Sequence, residues 1–213
     1  MIKRISLLGA AAGIAASLLG APAMAATDGL AISDLIAGGT GCPKTGPYQV
    51  SAHLLGDNLV VDFPAFDVLA GTVYSNNDGT GTFRTTARGN CAVSIKVTPP
   101  AGFAFAATDV TSRGYATLAT GANASAIATV NLAGDDATGT ARTDLKGPFY
   151  NSFTLAGKID EPRYSKCGEA TRMTVDTMAA INHGTAEKSA TSWVENGGRD
   201  DKLVSVKLGL KAC

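Results

Sequence analysis

Four widely spaced cysteines in a chain that begins with an export signal are the feature that most constrains this fold. They are Cys42, Cys91, Cys167 and Cys213. Cysteines in an exported protein meet an oxidising medium, in which thiols pair as disulfides. An even number of cysteines therefore predicts a disulfide-bonded extracellular domain.

The N-terminal segment has the three parts of a secretory signal peptide. Lys3-Arg4 gives it a positive start, Ile5–Leu19 is an apolar run, and Ala23-Met24-Ala25 matches an A-x-A cleavage site. The apolar run is about 15 residues long, shorter than the roughly 20 that span a bilayer. We predict a signal peptide over residues 1–25 and a single secreted domain over residues 26–213.

The charge balance argues against nucleic acid and membrane surfaces as partners. The chain has 18 basic and 18 acidic residues. Loss of Lys3 and Arg4 with the signal leaves a formal charge of −2, and the sequence contains no basic run. Neither nucleic acid nor an anionic membrane is therefore an expected partner after cleavage of the signal.

The cysteines allow three disulfide connectivities, and the sequence alone does not choose among them. The pattern we favour is Cys42–Cys91 with Cys167–Cys213, which would attach the C-terminal strand by its last residue. A zinc site is the alternative. It is disfavoured because the chain has no C-x-x-C pair and only two histidines, His53 and His183. We predict no metal and no cofactor.

Short alternating apolar runs predict strands rather than helices. The clearest run is Cys91–Thr98, in which every second residue is apolar, and Val204–Lys211 is similar. Gly56-Asp57-Asn58 predicts a hairpin. About ten such strands with frequent turn residues indicate an all-β fold, an antiparallel β-sandwich with two disulfides. The polar stretch Gly184–Lys202 has no period and is expected to be a long surface loop.

No motif for catalysis is present. G-x-S-x-G, H-E-x-x-H, the P-loop and G-x-G-x-x-G are all absent. The adjacent acidic pairs lie in turn-like contexts, and neighbours on a strand point to opposite faces. The run Asn76–Gly81 resembles half of a calcium loop but lacks the first and last ligands, so it is interpreted as a turn. We predict no catalytic residues.

Trp193 is the one candidate binding residue. It is the only tryptophan and lies in the polar segment Ala190–Glu195. An exposed tryptophan can stack on a sugar ring or anchor a partner protein, although it can also cover one end of a sandwich. Asn123-Ala124-Ser125 matches the N-glycosylation pattern, whose use depends on the host.

The cysteine contexts together resemble an uncharacterised family of secreted four-cysteine proteins, a domain-of-unknown-function family of bacteria and filamentous fungi. The resemblance covers Ile32 to Cys213 and departs within residues 169–202. It implies an exported, disulfide-bonded β-rich domain, with no known activity and no catalytic residues. The segments that carry it are Gly39-Thr40-Gly41-Cys42-Pro43, Arg88-Gly89-Asn90-Cys91, Arg113-Gly114-Tyr115-Ala116 and Cys167-Gly168.

These observations favour a non-enzymatic extracellular role, either binding or structural, with a wall polymer or another protein as partner. One alternative is an extracellular hydrolase that acts on carbohydrate through dispersed carboxylates. Its candidate acids are Asp62, Asp67, Asp160, Glu161, Asp176 and Glu195. Another is a secreted inhibitor or effector that presents the turn Asn76–Gly81.

Overall fold

The structure, a computed structural model, describes residues 29–42, 49–64, 66–74, 80–133, 138–196 and 203–213. The predicted signal peptide lies outside them. Within these ranges no helix is long and apolar enough to cross a membrane. The described strands, in chain order, are β1 (Ala31–Gly38), β2 (Ser51–Leu55), β3 (Asn58–Asp62), β4 (Asp67–Tyr74), β5 (Gly81–Arg84), β6 (Thr86–Thr98), β7 (Phe103–Leu118), β8 (Asn123–Leu132), β9 (Thr138–Lys146), β10 (Phe149–Lys158), β11 (Thr171–Asn182), β12 (Thr191–Asn196) and β13 (Leu203–Ala212).

The strands form two antiparallel sheets that pack face to face, so the predicted β-sandwich is confirmed. The five-stranded sheet has the order β1-β6-β11-β8-β9. The eight-stranded sheet has the order β2-β3-β13-β7-β12-β4-β5, with β10 also paired to β7. Strand β10 pairs with residues 109–118 of β7. Strands β12 and β13 follow one another along the opposite edge of β7.

The core lies between the sheets and is filled by every second residue of the long strands. In β6 the inward side chains are Cys91, Val93, Ile95 and Val97, as the alternation predicts, and each is at most 1% exposed. Many other inward positions are alanines, while Phe63, Phe66 and Phe105 supply bulk. Apolar burial of this kind contributes about 25 cal/mol per Å² removed from water.

Both disulfides have the connectivity favoured from the sequence. Cys42–Cys91 joins the segment after β1 to the middle of β6, across a Cα–Cα distance of 4.8 Å. Cys167–Cys213 joins the last residue to the β10–β11 connection, across 6.1 Å. The sequence separations are 49 and 46 residues. On the chain-entropy model, each bridge therefore stabilises the fold by about 4 kcal/mol.

The predicted hairpin is also present. Strands β2 and β3 pair from Leu55↔Asn58 outward. Gly56 has φ +60°, as the first central residue of a type II′ turn requires.

The predicted loop over Gly184–Lys202 is wrong in its middle, because Thr191–Asn196 forms β12 between β4 and β7. Among the side chains of β12 that the structure describes, the two fully buried ones are Ser192 and Val194. Because one of them is a serine, the strand shows no apolar alternation in the sequence. The Ser192 hydroxyl accepts a hydrogen bond from the amide of Ala119 at 3.1 Å. A serine can therefore occupy a core position without leaving a polar atom unsatisfied.

The glycine of the Arg113-Gly114-Tyr115-Ala116 segment is required by packing. It lies on the inner face of β7, where the ring of Phe153 and the carbonyl of Glu195 occupy the space that a Cβ would need. The absent side chain therefore lets β10 and β12 pack closely at this point of β7.

We predict that Gly114→Ala lowers the free energy of unfolding by about 1–3 kcal/mol, because the added methyl group overpacks the core. Urea unfolding followed by circular dichroism measures the change. Gly38→Ala is the matched control, because a Cβ at Gly38 has no atom within 4 Å. Equal stability of the two variants would contradict the packing role of Gly114.

Candidate functional site

Trp193 lies on the outer face of the eight-stranded sheet. Its neighbours in β12, Ser192 and Val194, point into the core, so Trp193 points away from it. Tyr115 of β7 is on the same face. The two rings have centroids 5.5 Å apart and are tilted by 38°. Both side chains are half-buried, so part of each ring surface remains open to solvent.

Strand register extends this pair into a larger surface. Tyr150 of β10 and Trp193 of β12 both pair with Thr117, from opposite edges of β7. Residues paired in this way share a face of the sheet. The Tyr150 side chain is 64% exposed. We call Tyr115, Tyr150 and Trp193 the aromatic face.

Polar groups border the aromatic face. The adjacent row across the sheet contains Ser152, Tyr115, Glu195 and Asp67 in register. One row further along β7, a depression of about 320 Å³ is lined by Thr111, Ser112, Arg113, Thr154 and Leu203. This part of the sheet therefore offers flat aromatic rings beside hydroxyl, carboxylate and guanidinium groups, which suits a ligand with both apolar and polar surfaces.

A second candidate surface lies on the outer face of the five-stranded sheet. It is a groove of about 780 Å³, lined by β6, β11, β8 and β9 and their adjoining turns. Its ionisable lining residues are Arg88, Arg142, Asp144 and Lys146. Arg142 donates two hydrogen bonds to Asp144, at 2.7 and 3.2 Å. This interaction raises the pKa of Arg142 and lowers the pKa of Asp144.

Asp176 lies on the same outer face, between Ala92 of β6 and Thr129 of β8. Its Oδ1 atom is buried and accepts no hydrogen bond from a described residue. Partial burial raises the pKa of Asp176, and the positive charge of Arg88 opposes that rise.

The two histidines have different surroundings, and neither contacts the aromatic face. His53 Nδ1 lies 3.5 Å from Asp62 Oδ2, with both side chains partly exposed. His183 is fully buried; its Nε2 atom donates to the carbonyl of Glu187 at 3.0 Å, and its ring meets the edge of Phe83. In that tautomer His183 Nδ1 has no partner among the described residues.

Metal binding finds no support in the described ranges, which contain no group of three His, Cys, Asp or Glu side chains placed to hold an ion. All four cysteines are in disulfides. The calcium-like run Asn76–Gly81 falls largely outside these ranges, because residues 75–79 are not described. The proposals for that turn therefore remain predictions from the sequence.

The fold and its surfaces define a disulfide-bonded β-sandwich with an aromatic patch on one sheet and a polar groove on the other. The family model "Domain of unknown function (DUF4360)" matches residues 28–213. The chain therefore belongs to this family, and the resemblance inferred from its cysteine contexts is confirmed.

Two further similarities were found. An "Uncharacterized secreted protein" of Arthroderma benhamiae is 24% identical over 171 residues, which is 79% of this chain and 65% of the relative. The chain thus spans less than two thirds of that relative's length. A solved structure of TmCBM61 in complex with β-1,4-galactotriose aligns over 88% of this chain and 90% of its own, with 9% identity and a TM-score of 0.28. No functional statement follows from so low a score.

We predict that Asp176→Asn stabilises the protein more at pH 7 than at pH 3. A raised pKa means that the folded state holds the proton more tightly than the unfolded state, so wild-type stability falls as pH rises through the ordinary aspartate range. Asparagine has no such loss. Urea unfolding at the two pH values measures the difference.

Asp144→Asn is the matched control, because its pKa is lowered by Arg142. The change in unfolding free energy caused by Asp144→Asn should differ little between pH 7 and pH 3, because the ion pair is exposed. The sign of that difference should be opposite to the sign for Asp176→Asn. A stability change in Asp176→Asn that is the same at both pH values would contradict the burial effect.

Proposed function

We propose that this protein is a secreted, non-enzymatic binding protein whose aromatic face, formed by Tyr115, Tyr150 and Trp193, binds an extracellular polysaccharide. The observation that carries the proposal is the ring contact between Trp193 and Tyr115 on adjacent strands, with centroids 5.5 Å apart, on a sheet face that points away from the core. A polysaccharide is the proposed ligand because sugar rings have apolar faces as well as polar edges.

The position of the rings on a sheet supports this role. Strands β7 and β12 fix the backbone positions of Tyr115 and Trp193, and the contact between the two half-buried rings restricts their rotamers. Little side-chain freedom is therefore lost when a ligand stacks on them. Glu195 and Asp67 lie in the same row as Tyr115, and Ser152 lies on its other side. These groups are positioned to hydrogen-bond sugar hydroxyls at the border of the stacked ring.

The extracellular location has three supports. The chain begins with a predicted signal peptide, it carries two disulfides, and a relative is described as secreted. Polysaccharides of cell walls and matrices are abundant in that location. A binding protein there needs neither a cofactor nor a catalytic group.

One observation favours a carbohydrate hydrolase as a second candidate. Asp67 and Glu195 pair directly across β4 and β12, beside Tyr115. Retaining glycosidases use two carboxyl groups about 5–5.5 Å apart, and opposite residues of an antiparallel pair have Cβ atoms at about that distance. The two side chains project from one sheet in the same direction, however, rather than from opposite walls of a cleft. Binding is therefore the first proposal.

The test is affinity electrophoresis and pull-down against chitin, cellulose, xylan and mixed-linkage glucan. We expect Trp193→Ala to weaken binding to the recognised polymer by about 30-fold, as loss of a central aromatic contact does. Trp193→Phe should retain most of the affinity, because it keeps a flat ring. Thermal unfolding verifies that each variant is folded.

Tyr164→Ala is the matched control. Tyr164 is a partly exposed aromatic residue whose hydroxyl lies near Gly209, and Gly209 pairs with Ala106. That position is nine residues along β7 from Tyr115, about 30 Å away. Equal binding by Trp193→Ala and wild type would refute the aromatic face as the site. Release of reducing sugars, abolished by Glu195→Gln, would favour the hydrolase instead.

A further inference from the structure

The groove on the five-stranded sheet opens on the side of the molecule opposite the aromatic face. Its lining residues come from β6, β8, β9 and β11 and from the turns at Gly121 and Gly147, and none belongs to a strand of the other sheet. A space bounded in this way lies on the outer face of that sheet. It is therefore a surface groove, separate from the core and from the aromatic face.

Strand register explains the shape of the groove. One row across the sheet reads Arg88, Ala180, Ser125 and Asp144. The two outer positions carry long or charged side chains, and the two inner positions carry small ones. Cross-strand neighbours lie about 4.8 Å apart, so the charged residues stand at the rims and the small residues leave the middle open.

The next row supplies amide groups to the same floor. It reads Thr86, Asn182, Asn123 and Lys146. The side-chain oxygen of Asn182 accepts a hydrogen bond from the amide of Gly184 at 2.9 Å, which leaves its NH₂ group as a donor. The floor therefore combines amide and hydroxyl groups that can hydrogen-bond an uncharged polar ligand.

The rims are basic on a chain with equal numbers of basic and acidic residues. Arg88 stands on β6, and Arg142 and Lys146 stand on β9. Asp144 is the one acidic lining residue, and Arg142 holds it in an ion pair. No ion pair found among the described residues involves Arg88 or Lys146, and β6 and β9 are three strand intervals apart, about 14 Å.

We propose that this groove binds a carboxylate-bearing polysaccharide, with Arg88 and Lys146 contacting carboxylates from opposite rims and Asn123, Ser125 and Asn182 contacting sugar hydroxyls. Charge complementarity supplies the attraction. Three basic side chains and one acidic one give a moderate excess of positive charge, which suits a polymer with hydroxyls between its charges.

The test is titration of the oxidised protein, without the predicted signal peptide, with polygalacturonate. Production in a host that does not glycosylate Asn123 keeps the groove open. We expect saturable binding that weakens as salt rises. Fully methyl-esterified polygalacturonate is the matched ligand, because it has the same sugar and no charge, and it should not bind.

The variant Arg88→Ala/Lys146→Ala should bind polygalacturonate about 100-fold more weakly, since each of the two charge-assisted contacts contributes roughly a factor of ten. Lys158→Ala/Lys166→Ala removes the same charge from two exposed lysines outside the groove, and it should bind as wild type does. Trp193→Ala should also bind as wild type does, which separates this groove from the aromatic face.

Several results would overturn the proposal. Equal binding of the esterified polymer would show that the ligand's carboxylates are not recognised. Equal losses of affinity in the two double variants would show that net charge, and not the groove, attracts the polymer. If the protein binds polyphosphate but not polygalacturonate, the ligand of the groove is a phosphate and not a carboxylate. If the folded Trp193→Ala variant no longer binds polygalacturonate, the binding site for this polymer is the aromatic face and not the groove.

Discussion

The alternation of inward and outward side chains along the long antiparallel strands is the constraint on which the rest of this structure depends. Inward positions of β6, β8 and β11 face those of β7, β12 and β13 and form one apolar core. The same alternation leaves polar, charged and aromatic side chains on the outer face of each sheet, where they can contact a ligand. A shift of one residue in any strand would exchange the two sets, so packing of the core also determines which residues line the aromatic face and the groove.

Most of the fold follows from the sequence, because the core demands a pattern that can be recognised there. The runs at Cys91–Thr98 and Val204–Lys211 have their apolar residues at every second position, and both are strands. The disulfide pattern favoured from the sequence is also correct. Strand β12 is not predicted from the sequence, because its described buried residues are Ser192 and Val194. Two inward positions, one of them polar, are too few to show an alternating apolar pattern. A hydrogen bond to the amide of Ala119 makes that serine acceptable in the core.

The candidate sites were predicted less completely, because register between distant strands is not visible in a sequence. Trp193 is a candidate from the sequence because it is the one tryptophan, but nothing in the sequence links it to Tyr115. Only the pairing of β12 with β7 brings the two rings together. The groove was not predicted at all. The chain has no basic run. Arg88 and Lys146 lie on the same face of one sheet only because β6, β11, β8 and β9 pair in that order. Gly114, by contrast, belongs to a box recognised in the sequence, and its lack of a Cβ now has a packing reason.

The most direct measurement of the central claim uses the single tryptophan of the chain. All tryptophan fluorescence comes from Trp193, so its emission reports the aromatic face without a label. Oligosaccharides of the recognised polymer should shift or quench that emission saturably, with the same dissociation constant that calorimetry gives. Calorimetric binding of these oligosaccharides with unchanged emission would contradict the aromatic face as their site, because they would then occupy a surface that does not contain Trp193.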